Sequence, residues 1–135
     1  SEQWNLIDVI NYDDSTTEFC SNGDENPWIC FDFKKNRIIP FNYTIRSHDG
    51  SETDHYPRSW VIECSNDNDE WTVIDEQNDC SFLKGSNLVH TFEVKNNDLI
   101  EFRYIRMRIT GHDWCNCTHL DINCIEFYGE LITYD

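Results

Sequence analysis

The sequence predicts an all-β sandwich of two packed sheets, and three observations carry that prediction. Short runs of β-branched and aromatic residues recur along the chain, separated by clusters of Asn, Asp, Ser and Gly that favour turns. Several runs alternate apolar and polar residues with a period of two, the pattern of a half-buried strand, while helical periodicity is scarce. Hydrophobic residues make up only 39% of the chain, yet aromatic residues reach 14% and include five Trp. Few but large apolar side chains suit a thin two-layer core better than a thick helical one.

The elements follow in order. Residues 1–15 read as an N-terminal arm or a lead-in strand. Trp28 to Phe33 is a buried strand. Ile38 to Ser47 holds another, with Phe41, Tyr43 and Ile45 alternating against Asn42, Thr44 and Arg46. Ser59 to Cys64 puts Trp60, Ile62 and Cys64 on one face. The run Ser65-Asn66-Asp67-Asn68-Asp69-Glu70 is a tight hairpin turn, because Asn and Asp bond their own backbone and tolerate left-handed conformations. A short strand from Trp71 to Asp75 follows it. His90 to Lys95 groups Phe92 with Val94. Phe102 to Thr110 is the clearest case: Ile105, Met107 and Ile109 share one face, and Tyr104, Arg106 and Arg108 the other. Ile122 to Leu131 is the closing strand, and residues 132–135 form a tail. These pieces make seven or eight strands in one domain over residues 16–131, with no internal repeat. Trp60 and Trp71 are expected to pack into or along the core. Arg46, Arg106 and Arg108 lie on strand faces opposite core positions and are expected to pair with the abundant carboxylates, which contributes about 0–1 kcal/mol each if exposed.

Charge narrows the partners. A formal net charge of −16 repels phosphate backbones and anionic membrane surfaces, which argues against nucleic acid and against membrane association. No run approaches the apolar length of a membrane span. The chain opens without Met or a signal peptide and reads as a fragment or a mature product, so location is not fixed by its ends. Seven Cys are an odd number, and at least one cannot pair within a monomer. Cys30 and Cys124 lie in apolar runs, where a thiol behaves as a small hydrophobe. Most of the seven are read as reduced core thiols, which tips localisation toward the cell interior over secretion. Gly-x-Ser-x-Gly, His-Glu-x-x-His, Walker and Rossmann patterns are all missing, and five Gly leave little for phosphate-cradling loops. The expectation is a domain that is not an enzyme.

Six segments, in order and spacing, carry a family resemblance. They are Trp28-Ile29-Cys30-Phe31-Asp32-Phe33-Lys34, Tyr43-Thr44-Ile45-Arg46-Ser47, Pro57-Arg58-Ser59-Trp60-Val61-Ile62-Glu63-Cys64-Ser65-Asn66-Asp67, Trp71-Thr72-Val73-Ile74-Asp75, Phe102-Arg103-Tyr104-Ile105-Arg106 and Ile125-Glu126-Phe127-Tyr128-Gly129. Together they resemble the discoidin, or coagulation factor 5/8 C-type, family over about residues 16–131, and most of all its protist and BTB-protein-associated branch. Cys64 stands where that family usually has a small Gly. The resemblance implies an eight-stranded jelly-roll β-sandwich of the galactose-binding-domain-like superfamily. It also implies a non-catalytic module that binds through loops at one end. The favoured partner is a protein, and the alternative is a glycan recognised by a lectin-like site.

Two loops hold most of the binding chemistry. One runs from Arg46 to Arg58 and offers His48, Asp49, His55, Tyr56 and Arg58. The other runs from Gly111 to Leu120 and offers His112, Trp114, Asn116 and His119. In sugar-binding relatives a ring from the loop before the last strand stacks on the sugar. Trp114 lies in that loop and is either such a platform or a plug closing the end of the sandwich. His112, Cys115, Cys117 and His119 are zinc-type ligands, but the one-residue gap between the two Cys is tighter than zinc knuckles use and argues against zinc. The resemblance also raises a structural calcium held by Asn22, Asp24, Asn26 and Glu126, all hard oxygen donors. Pro27 replaces the family's usual Thr beside that set.

Overall fold

A computed structural model describes residues 26–49 and 55–134 in full, together with the backbone of residues 4–10 and 18–21. Nine strands form among these residues: β1 (Trp4–Ile10), β2 (Glu18–Ser21), β3 (Trp28–Asp32), β4 (Arg37–Ser47), β5 (Trp60–Ser65), β6 (Thr72–Gln77), β7 (Val89–Glu93), β8 (Tyr104–Ile109) and β9 (Ile122–Ile132). They build a four-stranded sheet in the order β1-β9-β4-β7 and a five-stranded sheet in the order β2-β3-β8-β5-β6. Every strand pairing is antiparallel. The sandwich expected from the sequence is therefore present, with nine strands where eight were expected. The additional strand is β2, whose four residues are too short to display a period.

The core lies between the sheets. β8 buries Ile105, Met107 and Ile109 and leaves Tyr104, Arg106 and Arg108 half-buried on its outer face, as the alternation required. Rings cross the gap in pairs: Phe31 meets Phe127 edge-on at 5.8 Å and Trp60 meets Phe92 edge-on at 5.5 Å. Such pairs contribute about 0.5–1.5 kcal/mol each beyond the area they bury. One polar chain runs through this apolar layer. Trp60 Nε1 donates to the Tyr43 hydroxyl at 2.9 Å, and that hydroxyl donates to Asp75 Oδ2 at 2.5 Å. Burial, followed by the Asp75 carboxylate, pushes the Tyr43 phenol far up, so it stays a neutral donor. The chain links both sheets and satisfies groups that would otherwise be costly to bury.

On the outer face of the larger sheet, Arg106 and Arg108 pair with a carboxylate as expected, but with one that they share and that is buried. Both donate through Nε to the single buried Glu63, at 2.7 and 2.8 Å. Glu63 is 3% exposed. Arg106 also lies over the ring of Trp71, 3.7 Å from its centroid, which places Trp71 half-buried on the outside of the sandwich. Arg46 is exposed.

Gly129 sits where β4 and β9 come closest. Their register slips between Pro40 and Asn42, and a Cβ on Gly129 would lie 2.0 Å from the Ile39 carbonyl oxygen. The obstacle is backbone, so the strands must separate to admit a methyl group. Gly129→Ala is expected to destabilise the fold by about 1–3 kcal/mol, read as a lower midpoint in denaturant with an unchanged slope.

Candidate functional site

Strand register determines which connections share an end. Ser47, the last residue of β4, pairs with Ile122 at the start of β9. Trp60, the first residue of β5, pairs with both Ile109 and Gln77, the last residues of β8 and β6. Val89 at the start of β7 pairs with Arg46. The β4–β5, β6–β7 and β8–β9 connections thus emerge together. Sequence reasoning found the first and third but missed the second, which supplies Asp79 and Lys84.

Hydrogen bonds tie the three into one surface. Cys80 N–H donates to the Arg58 carbonyl at 2.8 Å, and Thr110 N–H donates to the Ser59 carbonyl at 3.1 Å. Ser47 Oγ donates to the Gly85 carbonyl at 2.5 Å and accepts from Leu88 N–H at 2.8 Å. The Tyr56 and Ser86 hydroxyls bond at 2.9 Å.

The β8–β9 connection folds around Asp113, which is 2% exposed. Its Oδ1 accepts from Cys115 N–H at 2.8 Å and from Cys117 N–H at 3.0 Å. Its own N–H donates to the Cys117 carbonyl at 2.7 Å. Oδ2 accepts from His55 Nδ1, on the β4–β5 connection, at 2.9 Å. Burial pushes the Asp113 carboxyl up, but the N–H groups of Cys117 and Cys115 and the His55 imidazole outweigh it and hold it below the usual carboxylate range. Asn116 turns the loop in a left-handed conformation, φ 61°, which Asn tolerates. An Asp that bonds the backbone two and four residues ahead is a local turn device. Sequence reasoning passed over Asp113 because the chain carries 26 acidic residues.

The expected ligand residues separate into distinct groups. Arg58, His112 and Asn116 line an open depression of about 500 Å³ together with Ser59, Asp79 and Gly111. Arg58 Nε donates to Asp79 Oδ1 at 2.7 Å. Trp114, read as either a platform or a plug, is half-buried, with Arg58 Cζ 4.4 Å and Lys84 Nζ 4.3 Å from its ring centroid. Its Nε1 is buried without a hydrogen-bond partner among the described residues. His48 stacks on Tyr56 at 4.9 Å and sets Nε2 3.0 Å from the His55 carbonyl, positions that brace the loop. Asp49 is exposed and does not line the depression.

Of the four neighbouring zinc-type residues in the sequence, the structure gathers only Cys117 and His119, and adds His55 from the other connection. His112 and Cys115 are exposed and outside that group. Asn22 and Asp24 of the calcium set lie outside the described residues. Of the other two, Asn26 is exposed, and Glu126 accepts from the Tyr128 hydroxyl at 2.5 Å. Among the cysteines, Cys30, Cys64 and Cys80 are buried, whereas Cys115 is exposed and Cys117 and Cys124 are half-buried. Cys64, Cys80, Cys115 and Cys117 are free thiols. No helix among the described residues is long and apolar enough to cross a membrane.

Two antiparallel sheets packed face to face, with three chain-distant connections gathered at one end, define a galactose-binding-like β-sandwich. The chain belongs to the F5/8 type C domain family, which matches residues 1–120. Its members are ligand-binding modules. A CBM62 module from Clostridium thermocellum shares the fold with a TM-score of 0.59 at 17% identity, over 87% of this chain and 79% of that one. CpGH89CBM32-5 from Clostridium perfringens, solved in complex with GalNAc-β-1,3-galactose, matches with a TM-score of 0.50 at 10% identity, over 81% of this chain and 66% of that one. The E3 ubiquitin-protein ligase Ufd4 of Drosophila melanogaster is 25% identical over 130 residues, 94% of this chain. The chain spans about 5% of the length of that curated relative.

Proposed function

We propose that this domain is a non-catalytic recognition module of a larger protein and binds a protein partner through the loop end. The contacts are Arg58, His112, Trp114 and Asn116 around the depression, with His48, Asp49, His55 and His119 on the flanking loops. The observation that carries the reading is the state of Trp114. Arg58 and Lys84 stand over its ring, so the aromatic face that a sugar would stack on is already occupied by cations. What remains is a polar rim around a shallow hollow, suited to hydrogen bonds and ion pairs with a protein surface. The likeness to a ubiquitin ligase supports the same reading, as do the free thiols, which suit a reducing compartment.

A glycan is the second reading. The hollow gathers guanidinium, carboxylate, imidazole and amide groups, which suit sugar hydroxyls, and one structural neighbour was solved with a disaccharide. A glycan array and a proximity-labelling comparison separate the two. The first reading expects silence on the array, and labelled proteins that are lost with Arg58→Glu plus Lys84→Glu. Array binding that disappears with Arg58→Ala would replace the protein partner with a sugar.

A further inference from the structure

The β4–β5 and β8–β9 connections bring together three soft or borderline ligands that neither loop could assemble alone. His55, Cys117 and His119 each place one ligand atom within 4.8 Å of the others. The two imidazole rings lie 4.7 Å apart at 59°. We propose that these three side chains bind one divalent cation of the zinc class and so clasp the two connections together.

The donor set carries the choice of ion. Imidazole nitrogen and thiolate sulfur are what zinc takes, whereas calcium and magnesium take oxygen. Tetrahedral zinc with ordinary bond lengths sets its ligand atoms about 3.4–3.6 Å apart, so closure asks for a shift of about 1 Å. His119 is exposed and Cys117 half-buried, so both side chains can turn to make it. Among the described residues, Cys117 Sγ is otherwise held by one contact, to the Cys115 carbonyl at 3.5 Å. Metal binding replaces that contact, and the thiol proton leaves to solvent as the sulfur–metal bond forms.

Asp113 is the second observation and is independent of the ligand spacing. Its Oδ2 accepts from His55 Nδ1 at 2.9 Å. That bond commits one ring nitrogen and leaves Nε2 for the metal, the carboxylate–histidine–metal relay that orients imidazole ligands. Its Oδ1 accepts from Cys117 N–H at 3.0 Å, which fixes the main chain of a second ligand. One buried carboxylate thus positions two of the three donors. Three protein donors leave the fourth tetrahedral position to water or to a side chain of a partner. The acidic chain, at −16, raises the local cation concentration. The proposal does not depend on whether the domain's partner is a protein or a glycan.

Cobalt(II) is the probe, added to chelator-treated, thiol-reduced protein. The expected result is one equivalent bound, with a thiolate-to-cobalt charge-transfer absorption in the near ultraviolet that zinc displaces. Cys117→Ser abolishes the absorption. His119→Ala, at an exposed position that leaves the fold intact, weakens binding by about ten-fold or more, and so does His55→Ala. Cys115→Ser leaves binding unchanged. Zinc raises the unfolding midpoint of the wild-type domain but not of Cys117→Ser. An absorption that is missing, that survives Cys117→Ser, that is indifferent to His119→Ala, or that vanishes with Cys115→Ser overturns the site.

Discussion

Trp60→Ala is expected to cost about 3–5 kcal/mol of unfolding free energy, enough to leave a domain of this size marginal or unfolded. Trp60 is fully buried and does three jobs. It fills the gap between the sheets, meets Phe92 edge-on at 5.5 Å, and donates Nε1–H to the Tyr43 hydroxyl at 2.9 Å. Truncation opens a cavity that the surrounding strands can close only in part. Trp60→Phe separates the contributions. It keeps most of the ring and loses the donor, and Tyr43 retains Asp75, so it is expected to cost about 1–3 kcal/mol. Chemical denaturation reads both. A Trp60→Ala loss below about 1 kcal/mol would mean that the sheets are not held apart by this ring.

Glu63→Gln is expected to cost about 3 kcal/mol. Removing one partner of a buried ion pair typically costs about 3–5 kcal/mol, and the partial exposure of Arg106 and Arg108, 19% and 30%, places this case at the low end. The same residue predicts a pH dependence. Burial raises the Glu63 carboxyl, but hydrogen bonds from Arg108 and Arg106 outweigh it and hold it below the usual range. Asp32 is likewise held low: burial raises it, and Arg103 and the Lys34 N–H outweigh that. A carboxyl depressed in the folded state contributes stability above its unfolded pKa of about 4, and that stability is lost as pH falls through the folded value. Acidification also relieves repulsion in a chain of net charge −16, which opposes the loss. The informative quantity is therefore the difference between wild type and Glu63→Gln. It is expected to be full at pH 7 and to shrink below about pH 4. Thermal unfolding across that range measures it, and a difference that stays constant would show that Glu63 is not ionised and paired in the folded state.

Much of the sandwich was legible because its strands are amphipathic. The alternation in β8 assigned Ile105, Met107 and Ile109 to the core, and the structure buries all three. The Asn/Asp turn before Trp71 gave the β5–β6 hairpin. What stayed hidden was tertiary. Glu63 falls on the face opposite Trp60, Ile62 and Cys64, and period two assigns faces but not what covers a face. Here Arg106, Arg108 and Trp71 cover it. β2 was too short to carry a pattern. At the site, the two loops rich in His and Trp were visible. The third was not, since Asp79 and Lys84 look like any solvated pair until the β6 and β7 registers bring them beside Arg58 and Trp114. His55 and Asp113 are 58 residues apart, and no local spacing announces that they meet. The same gap keeps His55 from being grouped with Cys117 and His119 by any local spacing.

The central claim is that recognition happens at the end of the sandwich where three connections converge. Backbone amide chemical shifts of the labelled domain, followed as a partner recovered by proximity labelling is added, test it most directly. Perturbations are expected to cluster at residues 55–59, 79–86 and 111–119. Perturbations centred instead on the hollow beside β6, lined by Val73, Ile74, Asp75, Glu76 and Lys95, with the three connections silent, would contradict it.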